Sequence, residues 1–293
     1  MTHDDTLLRR LAADFAASRL ALAGLALLAA IAAAAILAPW LAPQNPYDLA
    51  ELDLAASRLP PGARSADGTT FWLGTDGQGR DMLSAILYGL RISIGVGVAA
   101  TLLALAIGAA VGLVAAWAGG RTESVVMRVV DLQLSFPAIL IALVLLAVLG
   151  PGVGKIVFAL VAAQWAYYAR TVRGAALAER RKEYVDAAVV LALPRARILF
   201  GHLLPNVLPP LVVVATVQVA NAIALEATLS FLGLGLPVTE PSLGLLIANG
   251  YAYLLSGKYW ISFFPGVALA TTIVAVNLVG DRLRDALNPR LAQ

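Results

Sequence analysis

Residues 170–211 read RTVRGAALAERRKEYVDAAVVLALPRARILFGHLLPNVLPPL, and the rest of the chain is organised around them. Seven of these residues are basic and three are acidic, whereas the runs on either side are almost wholly apolar. Lys and Arg are retained on the cytoplasmic side when a membrane protein inserts. The stretch is therefore predicted to lie on the cytoplasmic face of a membrane.

The centre of this stretch predicts a short helix. Residues 183–192 contain no Gly or Pro, and Pro194 disfavours helical backbone at Leu193. Helical spacing places Tyr184, Ala187, Ala188 and Leu191 on one face, whose small side chains would let another surface approach closely. We interpret this helix as a docking element for a partner protein; the alternative is a charged juxtamembrane helix without a partner.

Composition places the chain among membrane proteins. Sixty per cent of the residues are hydrophobic, thirteen per cent are charged, and the mean hydropathy is +0.83. There is no Cys, and His3 and His202 are the only histidines. Thiolate zinc sites, cysteine nucleophiles and histidine metal clusters are therefore not expected, and neither are a catalytic residue, a metal or a cofactor. The basic residues show no aromatic interleaving, so nucleic acid is not an expected partner, while membrane lipid is.

Apolar runs predict an all-α polytopic protein with six transmembrane helices. A span needs roughly 20 residues. The first run could also be a secretory signal, but its apolar core is too long and it ends in Pro39 and Trp40. Gly108 and Gly112, four residues apart, predict close packing of the second span. The expected spans are 20–38, 92–118, 132–150 (kinked at Pro137), 156–169, 203–225 and 259–280.

Charge asymmetry predicts the topology. Fifteen Lys and Arg residues fall in the segments assigned to the inside and six in those assigned to the outside, which places both termini in the cytoplasm. The expected parts are a cytoplasmic tail 1–19, a first transmembrane helix 20–39, an outer loop 40–91, a transmembrane core 92–280 with five helices and the cytoplasmic loop 170–205, and a cytoplasmic tail 281–293. In the outer loop, Asp81 is expected to cap the helix that follows it.

Two further segments limit the possible functions. Residues 225–250, LEATLSFLGLGLPVTEPSLGLLIANG, are apolar but interrupted by Gly and Pro, so we expect an irregular outer segment that lines the exit of a cavity. Residues 150–155, GPGVGK, imitate a phosphate-binding loop but lack its first Gly and its final Ser or Thr. No ATP site is therefore expected in this chain, so any process driven by ATP would need a separate ATPase.

Several motifs together resemble a known family. Residues 183–192, EYVDAAVVLA, followed by 198–206, ILFGHLLPN, resemble the cytoplasmic Glu-Ala-Ala loop of ATP-binding-cassette importer permeases. Asp186 replaces the family's Glu, and Ala192 replaces its Gly, a change that should cost little inside a helix. Residues 71–97, FWLGTDGQGRDMLSAILYGLRISIGVG, closely resemble the segment before the second span in the dipeptide, oligopeptide and nickel branch. So do LSFLGLG, FPG and the carboxyl-terminal GDRLRDALNPR.

The resemblance implies a type I importer permease fold, a cytoplasmic coupling helix and a bacterial inner-membrane location. It implies as partners a second homologous permease, two ATPase subunits on the cytoplasmic side and an outer solute-binding protein. Transport would follow alternating access. The residues that would dock the ATPase are Tyr184, Asp186, Ala187, Ala188, Leu191, Ala192, Leu204 and Pro205.

The translocation cavity and the cargo are less sharply defined. Gln218, Asn221 and Glu226 are candidates for cavity polarity, with interhelical hydrogen bonding as the alternative. The resemblance favours di- and oligopeptides as cargo, with nickel chelates, glutathione or glycosides as alternatives in the same family. An ion-coupled secondary transporter should carry ionisable residues in mid-span, and a membrane-embedded hydrolase should carry a nucleophile with its base there; the sequence supports neither.

Overall fold

The computed structural model describes residues 15–48, 52–65, 68–237 and 239–287. Parts of both predicted tails, 1–14 and 288–293, lie outside this range, so the bases at 9, 10 and 290 are not placed. The first long helix, α1, runs from Arg19 to Ile36, and Ser18 caps it by accepting from the Ala21 amide at 3.3 Å. A short helix, α2 (Ala38–Leu41), begins after it with Pro39 near its amino end, where a missing N–H costs nothing.

The described residues of the predicted outer loop form a hydrogen-bonded structure. It contains one turn of 3-10 helix (Leu54–Ala56) and a two-residue antiparallel ladder between β1 (Ala63–Arg64) and β2 (Thr70–Phe71). Asp76 and Arg80 form a buried ion pair at 2.7 Å, and the Asp76 carboxylate also accepts from the amides of Gln78 and Arg80. Because a buried charge is costly unless it is paired and hydrogen-bonded, this pair fixes the shape of the turn.

Close contacts hold this loop together and attach it to the last described helix. Gly79 has φ +80°, and a Cβ atom there would lie 2.1 Å from the Asp53 carbonyl oxygen. The Trp260 indole N–H donates to the Thr75 backbone carbonyl at 3.1 Å. The Thr75 side-chain hydroxyl donates to the Ala56 carbonyl. The loop is thus fixed to the start of the last helix, 185 residues later in the chain.

Helix α3 runs from Met82 to Ala118 and is the longest helix among the described residues. The expected cap is confirmed: the Asp81 carboxylate accepts from the Ser84 amide at 2.8 Å and from its hydroxyl at 2.6 Å. The helix begins ten residues before the expected span at Ile92. Its first turns are buried against the outer loop and the last helix, where Met82 and Ala85 pack beside Trp260.

The third expected span is broken rather than kinked. Helix α4 (Gly120–Ser135) ends before Pro137, and α5 (Ala138–Leu149) begins after it, with an angle of 86° between the two. Proline disfavours helical backbone at the residue before it, and Phe136 is extended, with φ −96° and ψ 139°. Helix α5 has 12 residues and is only about 18 Å long, so it does not cross a hydrocarbon core of about 30 Å by itself.

Helix α6 (Val153–Glu179) packs against α3 through the two glycines that the sequence singled out. A Cβ atom at Gly108 would lie 2.4 Å from the Trp165 carbonyl oxygen, and one at Gly112 would lie 2.5 Å from that of Ala169. The predicted close packing at this pair of glycines is therefore confirmed, and α6 is the partner helix.

The remaining helices complete the bundle. Helix α7 (Glu183–Val190) is followed by a π-helical segment (Arg197–Leu203) that continues into α8 (Leu204–Phe231). The run 225–250 is more regular than expected, because its first residues belong to α8 and Leu243–Tyr251 form a short helix, α9. One 3-10 turn (Leu254–Ser256) then leads to α10 (Trp260–Ala286). Backbone approaches at Gly244 and Gly250 pack α9 against α8 and α10.

Within the described ranges, four helices are long and apolar enough to cross a membrane: α1, α3, the continuous helix 197–231 and α10. The broken pair α4 and α5 makes five if it counts as one span. Helix α6 is 27 residues long but is not among them, because it is less apolar. Lys155, Gln164 and Arg170 all lie in its first 18 residues and lower their hydropathy. The chain is thus a multi-pass helical protein, and the count of six spans stays a prediction.

Candidate functional site: a docking helix and a polar cavity

Helix α7 is held against the body of the protein by two apolar side chains. Val185 and Ala188 are buried, three residues apart, and belong to one cluster with Ile198, Leu199 and Leu203 of the π-helical segment. The expected docking face therefore needs correction. Ala188 faces the protein's own core, because the buried stripe runs through residues 185 and 188, with Tyr184 partly buried beside it.

The end of α7 corrects a second expectation. Ala192 lies beyond the helix, with φ +52°. Its amide donates to the Val189 carbonyl and the Leu193 amide donates to that of Ala188, at 2.9 and 3.1 Å. This is the Schellman arrangement, in which the left-handed residue is usually glycine. The family's glycine thus corresponds to a left-handed position, and Ala192 carries a steric cost there.

Hydrogen bonds join the start of α7 to the end of α6. The Glu179 carboxylate accepts from the Tyr184 hydroxyl at 2.9 Å and from the Lys182 ammonium at 2.7 Å. Burial, and then the hydrogen bond to Glu179, raise the pKa of Tyr184 to about 12. The hydroxyl therefore keeps its proton at neutral pH and remains a donor to Glu179.

Two arginines tie the same end of α6 to neighbouring helices. Arg180 donates to the Ala116 carbonyl near the end of α3 at 2.8 Å, and its guanidinium lies 5.3 Å from the centre of the Trp117 ring. Arg173 donates to Glu123 of α4, with its Nε at 2.7 Å. These contacts link α7, through α6, to both α3 and α4.

The outward side of α7 presents apolar residues to solvent. Val190 is 84% exposed and Leu191 is 72% exposed, and Val189 is also exposed beside them. Of the other predicted docking residues, Asp186 and Ala187 lie on this exposed side. Leu204 is partly buried against the cluster under α7, and Pro205 is exposed at the start of α8. Exposed valine and leucine on a short charged helix are typical of a protein-binding surface.

A cavity of about 360 Å³ lies among α5, α6 and α8. Its polar lining residues are Gln164, Tyr167, Gln218, Asn221 and Thr228, and the other three are alanine or leucine. Gln164 and Gln218 are buried, whereas Tyr167, Asn221 and Thr228 are exposed, so the cavity has an amide floor and an open rim. Gln218 accepts from the Asn221 amide at 2.7 Å. The structure thus brings together two of the three predicted cavity residues.

Glu226 occupies a different place from the one expected. It lies inside α8, is completely buried, and accepts from the hydroxyls of Ser93 on α3 at 2.8 Å and Ser230 at 2.7 Å. It is therefore neither at a helix edge nor at the cavity. The alternative interpretation, a hydrogen bond between helices, describes it correctly.

Sequence reasoning missed Gln164, Tyr167 and Thr228 at the cavity and Val185 under the docking helix. One signal was available, because Gln164 is a polar residue midway along the uncharged run 156–169, and such residues are often functional. The role of Val185 could not be predicted from the sequence. An apolar residue at that position suits a helix that packs on its own protein as well as one that packs on a partner.

Comparisons with known proteins agree with this architecture. The family described as binding-protein-dependent transport system inner membrane component matches residues 108–293, and the N-terminal TM domain of oligopeptide transport permease C matches residues 6–61. By fold, the chain is similar to a chain of the MetNI methionine ABC transporter in an inward-facing conformation. The TM-score is 0.57 at 20% identity, covering 71% of this chain and 98% of that one.

Curated relatives are similar over most of their length. A putative peptide transport system permease of Brucella suis is 41% identical, over 92% of this chain and 87% of the relative. The dipeptide transport system permease protein DppC of Bacillus subtilis is 39% identical, over 94% and 83%. The oligopeptide transport system permease protein OppC of the same organism is 38% identical, over 94% and 88%. The chain belongs to the family of binding-protein-dependent transport system inner membrane components, the permeases of ATP-binding-cassette importers.

Proposed function

We propose that this chain is one of two permease subunits in an ATP-driven importer of di- or oligopeptides. The observation that carries the proposal is the exposed apolar end of α7, held firmly on the bundle by Val185 and Ala188. A permease that uses ATP held by other subunits needs such a surface to receive their motion. The cargo is proposed from the names of the relatives, three of which are peptide, dipeptide and oligopeptide permeases.

In this proposal the predicted docking residues divide into two groups. Asp186, Ala187 and Leu191, joined by Val190, contact the ATPase subunit directly because they are exposed. The second group holds the helix in place. Tyr184 does so through its hydrogen bond to Glu179, and Ala188 and Leu204 do so by packing in the cluster under α7. Ala192 sets the backbone geometry at the end of α7, and Pro205 sets it at the start of α8.

The remaining parts of the assembly follow from the same assignment. Six spans, the broken third one included, place both termini and α7 in the cytoplasm and the loop 40–91 outside the bacterial inner membrane. A second, homologous permease completes the pathway, two ATPase subunits bind below, and a solute-binding protein delivers cargo from outside. In this assembly the two ATPase subunits bind the ATP, as expected from the lack of a phosphate-binding loop at residues 150–155.

Transport proceeds by alternating access. Closure of the ATPase pair on ATP displaces α7. The contacts of Glu179, Arg173 and Arg180 pass that displacement to α6 and, from it, to α3 and α4. The helices around the amide-floored cavity then change their packing, so that the cavity opens alternately to the two sides.

Reconstitution tests this function. The chain is co-expressed with a homologous permease, two ATPases and a binding protein, placed in vesicles, and supplied with labelled Ala-Ala and ATP. Uptake that requires ATP and all subunits is the expected result. Uptake by this chain alone under an ion gradient would instead mean secondary transport, and ATP-driven uptake of a nickel chelate, glutathione or a glycoside without peptide uptake would refute the peptide cargo.

A further inference from the structure

The floor of the cavity contains an acceptor that the protein leaves without a partner. Gln164 is 3% exposed, and its Oε1 atom has no hydrogen-bond partner among the described residues. A buried carbonyl oxygen in that state is unfavourable unless a ligand or water supplies a donor. Because Gln164 lines the cavity, that donor must come from whatever enters it.

The position of this group suits cargo in transit. Gln164 lies eleven residues after the start of α6, about 16 Å along its axis, and Gln218 lies about 21 Å along α8, at the middle of its length. Both amides are therefore well inside the bundle rather than at its ends. A cavity of about 360 Å³ is at the small end of ligand sites, which hold roughly 300–1,000 Å³, so it takes a dipeptide-sized fragment.

The chemistry of the lining defines the ligand class. The eight lining residues carry no formal charge, so the cavity offers nothing to balance a charged terminus or side chain. A bond between two amides uses one N–H and one oxygen, so the Gln218–Asn221 pair can still both donate and accept. With the Gln164 oxygen as an acceptor, the floor complements a group that presents one N–H and one C=O together.

We infer that this cavity is a subsite for the peptide bond of the cargo, with the Gln164 oxygen accepting from the peptide N–H and the Gln218–Asn221 pair binding the peptide carbonyl. The subsite selects the backbone and ignores the side chains, which suits a carrier of many sequences. This inference rests on the proposed function, because it takes the cargo to be a peptide.

The test uses the complete reconstituted complex with two probes, Ala-Ala and the ester alanyl-lactate, in which oxygen replaces the peptide N–H. Each is supplied at a concentration that saturates the binding protein, so the ratio of maximal uptake rates reports the permease. Gln164→Met keeps the size of the side chain and removes the acceptor. Gln133→Met is the matched control, because Gln133 lies outside the cavity and donates to the Ala162 carbonyl of α6.

We expect the unchanged complex to import the peptide at least fivefold faster than the ester. Gln164→Met should bring the two rates together by slowing the peptide, and Gln133→Met should preserve the ratio. If the unchanged complex does not discriminate, or if Gln164→Met keeps the original ratio, the oxygen is satisfied by water alone and the inference is wrong. If the unchanged complex assembles and hydrolyses ATP but imports neither probe, the peptide function itself fails and the subsite falls with it.

Discussion

Ser93 on α3 donates a hydrogen bond to Glu226 on α8 at 2.8 Å, and neither side chain is exposed. Together with Ser230, which donates to the other carboxyl oxygen, this contact fixes the first half of α3 against the last turns of α8. A polar contact inside an apolar bundle is specific, because any other arrangement leaves hydroxyls and a carboxyl group without partners.

Replacement of Glu226 tests this contact. Glu226→Ala leaves two serine hydroxyls facing a void and should lower the free energy of unfolding by about 2–4 kcal/mol. Glu226→Gln should be tolerated, because its oxygen can accept from one serine while its N–H donates to the other. Thermal unfolding of the detergent-solubilised chain measures both variants, and equal Tm values for Ala and Gln would contradict the assigned bonds.

The outer loop should depend on its buried ion pair. Asp76→Ala removes the carboxylate that the buried Arg80 guanidinium binds at 2.7 Å, and breaking such a pair costs about 3–5 kcal/mol. Limited proteolysis from the outer side should then cleave between residues 43 and 80. The control is Asp131→Ala, whose partner Arg170 is exposed, so its loss should cost no more than about 1 kcal/mol. Equal protease resistance of both variants would argue against a structural role for Asp76.

Ala192→Gly should stabilise the end of the docking helix. Removing the Cβ atom from a left-handed residue stabilises the fold by about 1–2 kcal/mol. Glycine also makes the unfolded chain more flexible, which destabilises the fold by about 0.4–1 kcal/mol. The net gain is therefore between about 0 and about 1.6 kcal/mol, and uptake should be close to normal. Ala192→Val should be destabilising, because β-branched residues avoid positive φ. Amide hydrogen exchange over 183–193 measures the change, and faster exchange in the Gly variant would contradict the assigned geometry.

The docking surface should be sensitive on its exposed side. Val190→Lys places a charge where an apolar contact is expected, and a loss of about 2.7 kcal/mol would weaken association a hundredfold. Co-purification of the ATPase subunits and ATP-driven uptake should both fall, while membrane insertion is unchanged. Asp186→Ala should impair coupling and Asp186→Glu should not.

Two controls accompany the docking test. Ala196→Lys changes an exposed residue beyond the helix and should leave co-purification intact. Ala188→Lys is a folding control, because it forces a charge into the cluster under α7 and should lower the Tm as well. Normal uptake by the Val190→Lys complex would mean that the ATPases bind elsewhere.

Topology can be tested directly, since the chain has no cysteine. Thr69→Cys, in the outer loop, should react with an impermeant maleimide in intact spheroplasts. Ala196→Cys should react only after lysis. Both positions are exposed in the structure, so accessibility within the fold does not limit either reaction. The reverse pattern would overturn the assigned orientation.

What the sequence could predict depended on how local the cause was. The Asp81 cap and the Gly108–Gly112 contact were predictable, because a cap is set within four residues and small residues at that spacing have one common use. The direction in which each face of α7 points was not predictable, since Ala188 could pack either on the protein itself or on a partner. The π-helical segment lies against Ala188 in the fold, and its position could not be predicted from the sequence.

The break at Pro137 and the position of Glu226 show the same limit. Proline was recognised as a possible kink, but whether a helix bends or breaks depends on what packs around the gap. Glu226 looked like the end of a span because the uncharged run stops there. The serines that bind it are 4 and 133 residues away, and the more distant one cannot be identified from the sequence around Glu226.

The glycine contact between α3 and α6 has a mechanical consequence. With Gly108 and Gly112 against the α6 backbone, the two helices cannot slide past each other without a steric clash, so they act as a single stiff strut. Helix α3 is 37 residues long, which makes it about 55 Å, so a tilt of about 5° at one end moves the other end by about 5 Å. One end of that strut adjoins α7 through Arg180, and the other is capped by Asp81 beside the ion pair of the outer loop. A small displacement at the α7 end of this strut would therefore be carried to the end capped by Asp81, without any helix having to unfold.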